Sequence, residues 1–275
     1  MSLESKVATL RSGNGRIELA NRRRARRGEP ELLLRRPLPD GVVGHAPRRI
    51  NALLAGLGGA TDYLEIGVRA GRTLGNVRAP HRVGVDPAPI FDVNRLPPGL
   101  EFHAVTSDAY FAALDPTTRF DLVFVDGLHT FAQTYRDVRN SLSHLADGIV
   151  LIDDTVPDDE CSAEPDRSKG IAMREGRPGT AFRYHGDVWK VVVALDRHHP
   201  ELSLCTITTG GNAQTIVWRS APEEPLVALS PEDLDAIGAL DYSTVMGAGV
   251  PEWFHPADEE SAIRTALAAV APRRA

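Results

Sequence analysis

The chain has 275 residues, 42% of them hydrophobic and 25% charged, a balance that supports one large α/β domain with extensions and excludes a disordered polymer. A formal net charge of −6 gives no global electrostatic case for nucleic acid, and no apolar run reaches the ~18 residues that a membrane span needs. Cys161 and Cys205 stand apart in no metal-type spacing, and Met1-Ser-Leu-Glu-Ser opens no basic-then-apolar leader; both features fit a reducing cytoplasm.

The first forty residues carry a dense basic cluster, Arg22-Arg-Arg-Ala-Arg-Arg27, followed by Pro30, Pro37 and Pro39. It reads either as a solvated arm or as a contact for an acidic partner. Arg48–Leu57 has helical apolar spacing and stops at Gly58-Gly59. Five short, β-branched, nearly continuous apolar runs follow: 62–67, 82–86, 100–105, 120–126 and 149–152. Continuous hydrophobicity is the mark of strands buried on both faces. Between the fourth and fifth, Phe131, Tyr135, Val138, Leu142 and Leu145 fall on one face of a helix. Strands separated by helices predict a parallel sheet with right-handed crossovers.

Residues 155–186 are polar and rich in proline and glycine, and they are expected to form a long loop of the kind that serves as a lid. A helix is predicted over 187–197. Strands over 202–208 and 214–219 flank Gly210-Gly211-Asn212, an antiparallel hairpin. Ser230-Pro-Glu-Asp is a helix start signal, and 259–270 is apolar on one side. The expected architecture is a three-layer α/β domain with a seven-stranded, mostly parallel sheet ending in that C-terminal hairpin. The chain divides into a basic N-terminal arm or helical extension over 1–44, a cofactor-binding domain over 45–222, and a helical extension over 223–275. The extensions leave room for a homo-oligomer, of which the sequence carries no direct sign.

The chemistry gathers at the strand ends. Glu65-Ile-Gly67-Val-Arg-Ala-Gly71 is a strand-to-helix turn whose glycines let a ligand approach the backbone. The spacing is GxxxG, looser than the GxGxxG that seats a pyrophosphate. Asp86 closes the second strand nineteen residues after Gly67, where a carboxylate can accept both hydroxyls of a ribose. The fourth strand delivers Asp126 and, three residues on, His129; the fifth delivers Asp153 and Asp154. Three carboxylates on one edge repel one another unless a cation joins them, and oxygen ligands favour Mg²⁺. His129 can take a proton near neutral pH. The blander alternatives are a loop cap for Asp153-Asp154 and a structural role for His129. Tyr184, His185, Trp189 and Lys190 are candidates for an acceptor pocket below the 155–186 loop.

Glu65-x-Gly67-x-x-x-Gly71, Val85-Asp86 and Thr106-Ser-Asp108 resemble the cofactor motifs of class I S-adenosylmethionine-dependent methyltransferases. The resemblance implies a Rossmann-like methyltransferase fold with strand order 3-2-1-4-5-7-6. It puts Glu65 and Gly67 near the methionine moiety, Asp86 on the ribose and Asp108 near the adenine amino group, with Gly71 and Asp126 also at the cofactor; Asp108 reads equally as a helix cap. Asp126-Gly-Leu-His129 with Asp153-Asp154 is similar to the small-molecule O-methyltransferase family that includes the macrocin and mycinamicin enzymes. Gly186-Asp-Val-Trp-Lys190 and Gln214-Thr-Ile-Val217 are similar to recurring segments of that group. That likeness implies S-adenosylmethionine and Mg²⁺ as cofactors, a metal site of Asp126, Asp153 and Asp154, and His129 with Asp126 as the catalytic pair. The expected reaction is methylation of a hydroxyl on a small molecule, a sugar or natural product. An NAD(P)-dependent oxidoreductase and a non-catalytic cofactor-binding module are the competing readings.

Overall fold

The computed structural model describes residues 24, 37–39, 41, 44–175, 177, 182–219 and 226–274. Apart from Arg24, the basic cluster lies outside the described residues.

Helix α1 (His45–Gly56) leads into β1 (Asp62–Ile66), β2 (His81–Val85) and β3 (Leu100–His103). Helix α2 (Ser107–Ala113), β4 (Phe120–Val125), α3 (Phe131–Ser143) and β5 (Leu145–Ile152) follow. Next come α4 (Arg167–Arg174), α5 (Trp189–His198), β6 (Leu202–Ile207) and β7 (Gln214–Arg219). Helices α6 (Pro231–Gly238) and α7 (Tyr242–Met246), the short strand β8 (Pro256–Ala257) and α8 (Glu259–Val270) complete the described chain.

The strands form one sheet in the order β3-β2-β1-β4-β5-β7-β6-β8. Neighbours from β3 to β5 run parallel, and β7 is antiparallel to both β5 and β6. This is the expected Rossmann-like arrangement, with one correction: among the described residues the sheet has eight strands, not seven. Strand β8 lies parallel to β6, where Thr206 N–H donates to His255 O and Thr208 N–H to Ala257 O. Two residues starting with proline show no period-two pattern, so the sequence gives this strand no signal; an edge strand tolerates the missing N–H.

Side chains alternate across the sheet because strand residues point to opposite faces in turn. On one face, Leu122, Phe124, Ile149 and Leu151 meet Ile50 and Leu53 of α1 and Ala262 and Ala266 of α8. On the other, Val123, Val125, Val150 and Ile152 meet Tyr135, Val138 and Leu142 of α3 and Val191 and Val192 of α5. Residues beyond 223, read from sequence as a helical extension, thus supply both an edge strand and a helix of one covering layer. All parallel strands point their carboxyl ends to one edge, where the loops after β1, β2, β4 and β5 converge.

The 155–186 stretch is more structured than the sequence implies. It contains α4, capped by Asp166, which accepts from Ser168 N–H and Lys169 N–H. Arg183 makes a two-pronged pair with Asp158 at 2.7 and 2.5 Å, and Tyr184 Oη donates to Pro165 O at 2.5 Å. Ser162 O accepts from the N–H groups of both His185 and Gly186. Residues 176 and 178–181 lie outside the described residues.

Candidate active site

A cleft of about 880 Å³ opens at the carboxyl edge of the sheet, within the size range of small-molecule and cofactor sites. Glu65, Gly67, Asp86, Asp108, Asp126, His129, Asp153 and Asp154 all contribute to its wall. Of the nine residues the sequence singled out for cofactor, metal and base, all but Gly71 line this cleft.

Gly67, just past the end of β1, packs against the ends of β2 and β4. Its N–H donates to Val85 O at 2.9 Å, its φ is +89°, and a Cβ there would meet Asp126 O at 1.8 Å. Only glycine fits a left-handed backbone against another main chain. Gly71 differs from expectation. It is not part of the cleft wall; its φ is +70°, and a Cβ would meet the Leu38 side chain at 2.2 Å. Its lack of a side chain serves the turn and its packing rather than ligand contact.

Asp86 accepts Arg69 N–H at 2.6 Å and Ala88 N–H at 2.7 Å, one on each oxygen. A carboxylate has about four acceptor sites, so capacity for diol hydroxyls remains. Glu65 is buried beneath the loop and accepts from Tyr63 Oη at 2.7 Å. Burial pushes its carboxyl up to about 8, and the nearby Asp126 charge adds to that against the Tyr63 hydrogen bond. Asp108 is half-exposed at the start of α2, where Arg136 and Gln133 donate to it at 3.3 Å and hold its carboxyl below the usual range. The cap of α2 is Thr106, which accepts from Ala109 N–H. Asp108 is thus spared the capping role.

Two strand ends and one loop meet at His129. Its Nε2 lies 3.4 Å from Asp126 Oδ1 and its Nδ1 2.8 Å from Asp154 Oδ2. The ring stacks on Tyr184, with centroids 5.3 Å apart and planes 12° apart. Nδ1 is buried and, despite its closeness to Asp154, has no aligned hydrogen-bond partner. Burial alone would lower the His129 pKa, but Asp126 and Asp154 outweigh it and lift it to about 10. Burial pushes Asp126 up to about 6 and holds Asp153 well above the carboxylate range, with the Asp154 charge contributing to both. Asp154 goes the other way: its burial is outweighed by His129.

Ligand-capable atoms of Asp126, His129 and Asp154 all lie within 4.8 Å of one another. This set exchanges one member of the expected Asp126, Asp153 and Asp154. Asp153 is adjacent, but its Oδ1 accepts from Asn212 at 2.8 Å, from Gln214 at 3.1 Å and from Asp154 N–H at 3.0 Å. The donor chemistry fits a cation: Asp126 and Asp154 bring carboxylate oxygens together beside His129, and the Asp153 carboxylate lies in the same wall.

Trp189 and Lys190 depart from the acceptor pocket expected of them. Both are buried in the first turn of α5. Lys190 Nζ donates to Gly238 O at 2.6 Å and pairs with Asp187 at 3.2 Å, while Asp187 also accepts Phe131 N–H at 2.7 Å. They are framework residues. Tyr184 and His185 do stand beside the site. Asp137 and Gln133 went unnoticed in the sequence, and Asn212 and Gln214 were read there as turn and strand residues without a place in the site. Asp137 is a buried wall residue on α3, pushed up to about 6 by burial despite hydrogen bonds from Ser107 and Gln133. It sits off the helix's apolar stripe, where a polar residue draws no attention.

Residues 64–155 match the family model described as a methyltransferase domain. The matched stretch runs from β1 to just past β5, the strands whose carboxyl ends carry the cleft. Among solved structures, the chain is similar to a candidate O-methyltransferase from Klebsiella pneumoniae, with 18% identity, 66% of this chain and 83% of that one covered, and a TM-score of 0.45. A candidate caffeoyl-CoA O-methyltransferase from Staphylococcus aureus aligns at 11% identity over 78% of this chain and 98% of that one, TM-score 0.46. The MycE methyltransferase of the mycinamycin biosynthetic pathway, solved with Mg, SAH and mycinamycin VI, aligns at 15% identity over 76% and 57%, TM-score 0.42. No curated protein matches the chain.

Proposed function

We propose that the protein transfers a methyl group from S-adenosylmethionine to a hydroxyl of a small molecule, a sugar or natural product, with the help of a divalent cation. The observation that carries this reading is His129 held between Asp126 and Asp154 at the cleft wall. In this reading Glu65 and Gly67 border the methionine moiety, Asp86 binds the ribose hydroxyls, and Asp108 faces the adenine. S-adenosylmethionine, when bound, supplies an already activated methyl carbon, so the protein's share is positioning and proton removal.

Asp126 and Asp154, with Asp153 behind them, would hold the cation, Mg²⁺ by ligand hardness, and its charge would favour the ionised hydroxyl. His129 serves as the base. With the carboxylates unshared, the imidazole is held protonated; once their charge is engaged elsewhere, its pKa falls toward the neutral range where a base works best. The exposed Leu128, also on the cleft wall, and the Tyr184 ring offer apolar surface for the acceptor.

The test is methyl transfer from labelled S-adenosylmethionine to a panel of hydroxylated sugars and natural products, before and after chelation. Turnover should fall on chelation and return with Mg²⁺. His129→Ala should lose roughly 10²–10⁴-fold in turnover. Turnover indifferent to chelator and to His129→Ala would overturn the reading.

A further inference from the structure

The hairpin between β6 and β7 does more than reverse the chain. Asn212, in that turn, points its amide at the acidic site: Nδ2 donates to Asp153 Oδ1 at 2.8 Å and to Asp154 Oδ1 at 2.5 Å. The NH₂ end of the amide supplies both donors. That leaves Asn212 Oδ1 for His185 Nε2 at 3.1 Å. One side chain thereby fixes two carboxylates and a buried imidazole. Asp154 is left with Oδ2 directed to His129, the oxygen a cation would share.

The turn is itself clamped from behind. Arg49, on α1, is fully buried, and its guanidinium donates to Thr209 O at 2.7 Å, Asn212 O at 2.6 Å and Gln214 Oε1 at 2.9 Å. Its Nε donates to Glu259 Oε2, at the start of α8, at 2.8 Å. Gln214 in turn donates to Asp153. Arg48 repeats the clamp from outside, reaching Gly210 O at 3.1 Å and Glu259 at 2.6 and 2.9 Å. A buried guanidinium is costly unless each donor direction is met, and here the acceptors come from the turn and from the C-terminal helix. The fork spans three backbone and side-chain acceptors of one turn at once, which a lysine cannot do.

We propose that Asn212 is a positioning residue for the acidic site, and that Arg49, anchored by Glu259, holds Asn212 and Gln214 in register with Asp153 and Asp154. The inference rests on the cation reading above. It makes the C-terminal helix part of the site's support, although that helix touches no wall of the cleft.

The test uses Mn²⁺ as a probe, titrated by calorimetry or spin resonance into the full chain, with S-adenosylhomocysteine affinity measured in parallel. Asn212→Ala removes a partly exposed side chain. It should weaken Mn²⁺ by about 10- to 100-fold, the usual effect of losing a residue that orients metal ligands, and leave S-adenosylhomocysteine affinity within about twofold. Arg49→Lys should weaken Mn²⁺ in the same direction; if it does not fold, Asn212→Ala decides. Unchanged Mn²⁺ affinity in Asn212→Ala, with the parent binding Mn²⁺, overturns this inference alone. Loss of S-adenosylhomocysteine binding in that variant also overturns it, because the role would then be general support of the fold. A parent chain that binds no Mn²⁺ overturns the cation reading and this inference with it.

Discussion

Glu65 is where a single side chain carries most tension between fold and function. It is buried, accepts from Tyr63, and is raised to about 8 chiefly by burial. A carboxyl raised in the folded state binds its proton there and not in the unfolded chain, so its contribution to stability declines as pH rises from about 4.5 to about 8. Glu65→Gln keeps an acceptor for Tyr63 and removes the titration. Thermal melts of the variant should therefore be flatter with pH across that window and lie above the parent at pH 8. Parallel melting curves for the two proteins would show that Glu65 is ionised in the fold. The sequence names Glu65 as a motif residue but gives no hint of its protonation, which follows from its burial beneath the loop, against the Tyr63 hydrogen bond. The same holds for His129. Its spacing from Asp126 is visible in the sequence, whereas its closeness to Asp154 depends on β4 and β5 pairing in register, Val125 beside Ile152.

At the scale of elements, the joint between α3 and α5 shows how the framework holds the site steady. Asp187 receives Phe131 N–H at the first turn of α3 and pairs with the buried Lys190 of α5. Phe131 follows the Asp126–Thr130 segment by one residue, so this joint sets where His129 lies. Asp187→Ala leaves a buried ammonium with Gly238 O and the Trp189 ring but no counter-charge, and should cost roughly 3–5 kcal/mol in urea unfolding. Asp187→Asn, which keeps an acceptor for Phe131 N–H, should cost less. Equal stability of all three proteins would contradict the joint. Sequence periodicity found both helices, and Gly186-Asp-Val-Trp-Lys190 drew attention through its resemblance to a known segment. What periodicity could not reveal is which residues of that segment face inward. Trp189 and Lys190 look like site residues in the sequence and are core residues in three dimensions. The loop before them hid α4 for a related reason: eight residues with one buried glycine show no apolar stripe.

Across the whole molecule, the carboxyl edge of the sheet was the most legible part. Short apolar runs, each ending in Glu65-x-Gly67, Asp86, Asp126 or Asp153-Asp154, specify parallel strands whose ends converge. The least legible part was the far side, where pairing depends on residues distant in sequence. Strand β8 and the α8 face of Ala262, Ala266 and Val270 close the edge of β6 and cover one core. Removing residues 256–275 would bare that edge and face and take away Glu259, the partner of Arg49. The shortened chain should melt at a markedly lower temperature and self-associate on size-exclusion chromatography, because an open β-edge beside exposed apolar surface invites pairing. A monomer melting like the full chain would contradict an integral role for the C-terminal region.

In the proposed function, the cleft built on Gly67 and Asp86 takes a sulfonium nucleoside rather than a dinucleotide. Calorimetric titration of the full chain with S-adenosylhomocysteine, and separately with NADH, tests it most directly. Saturable binding of S-adenosylhomocysteine at one site per chain, weakened by Asp86→Ala, and no heat from NADH are the expected results. Binding of NADH without binding of S-adenosylhomocysteine would contradict it.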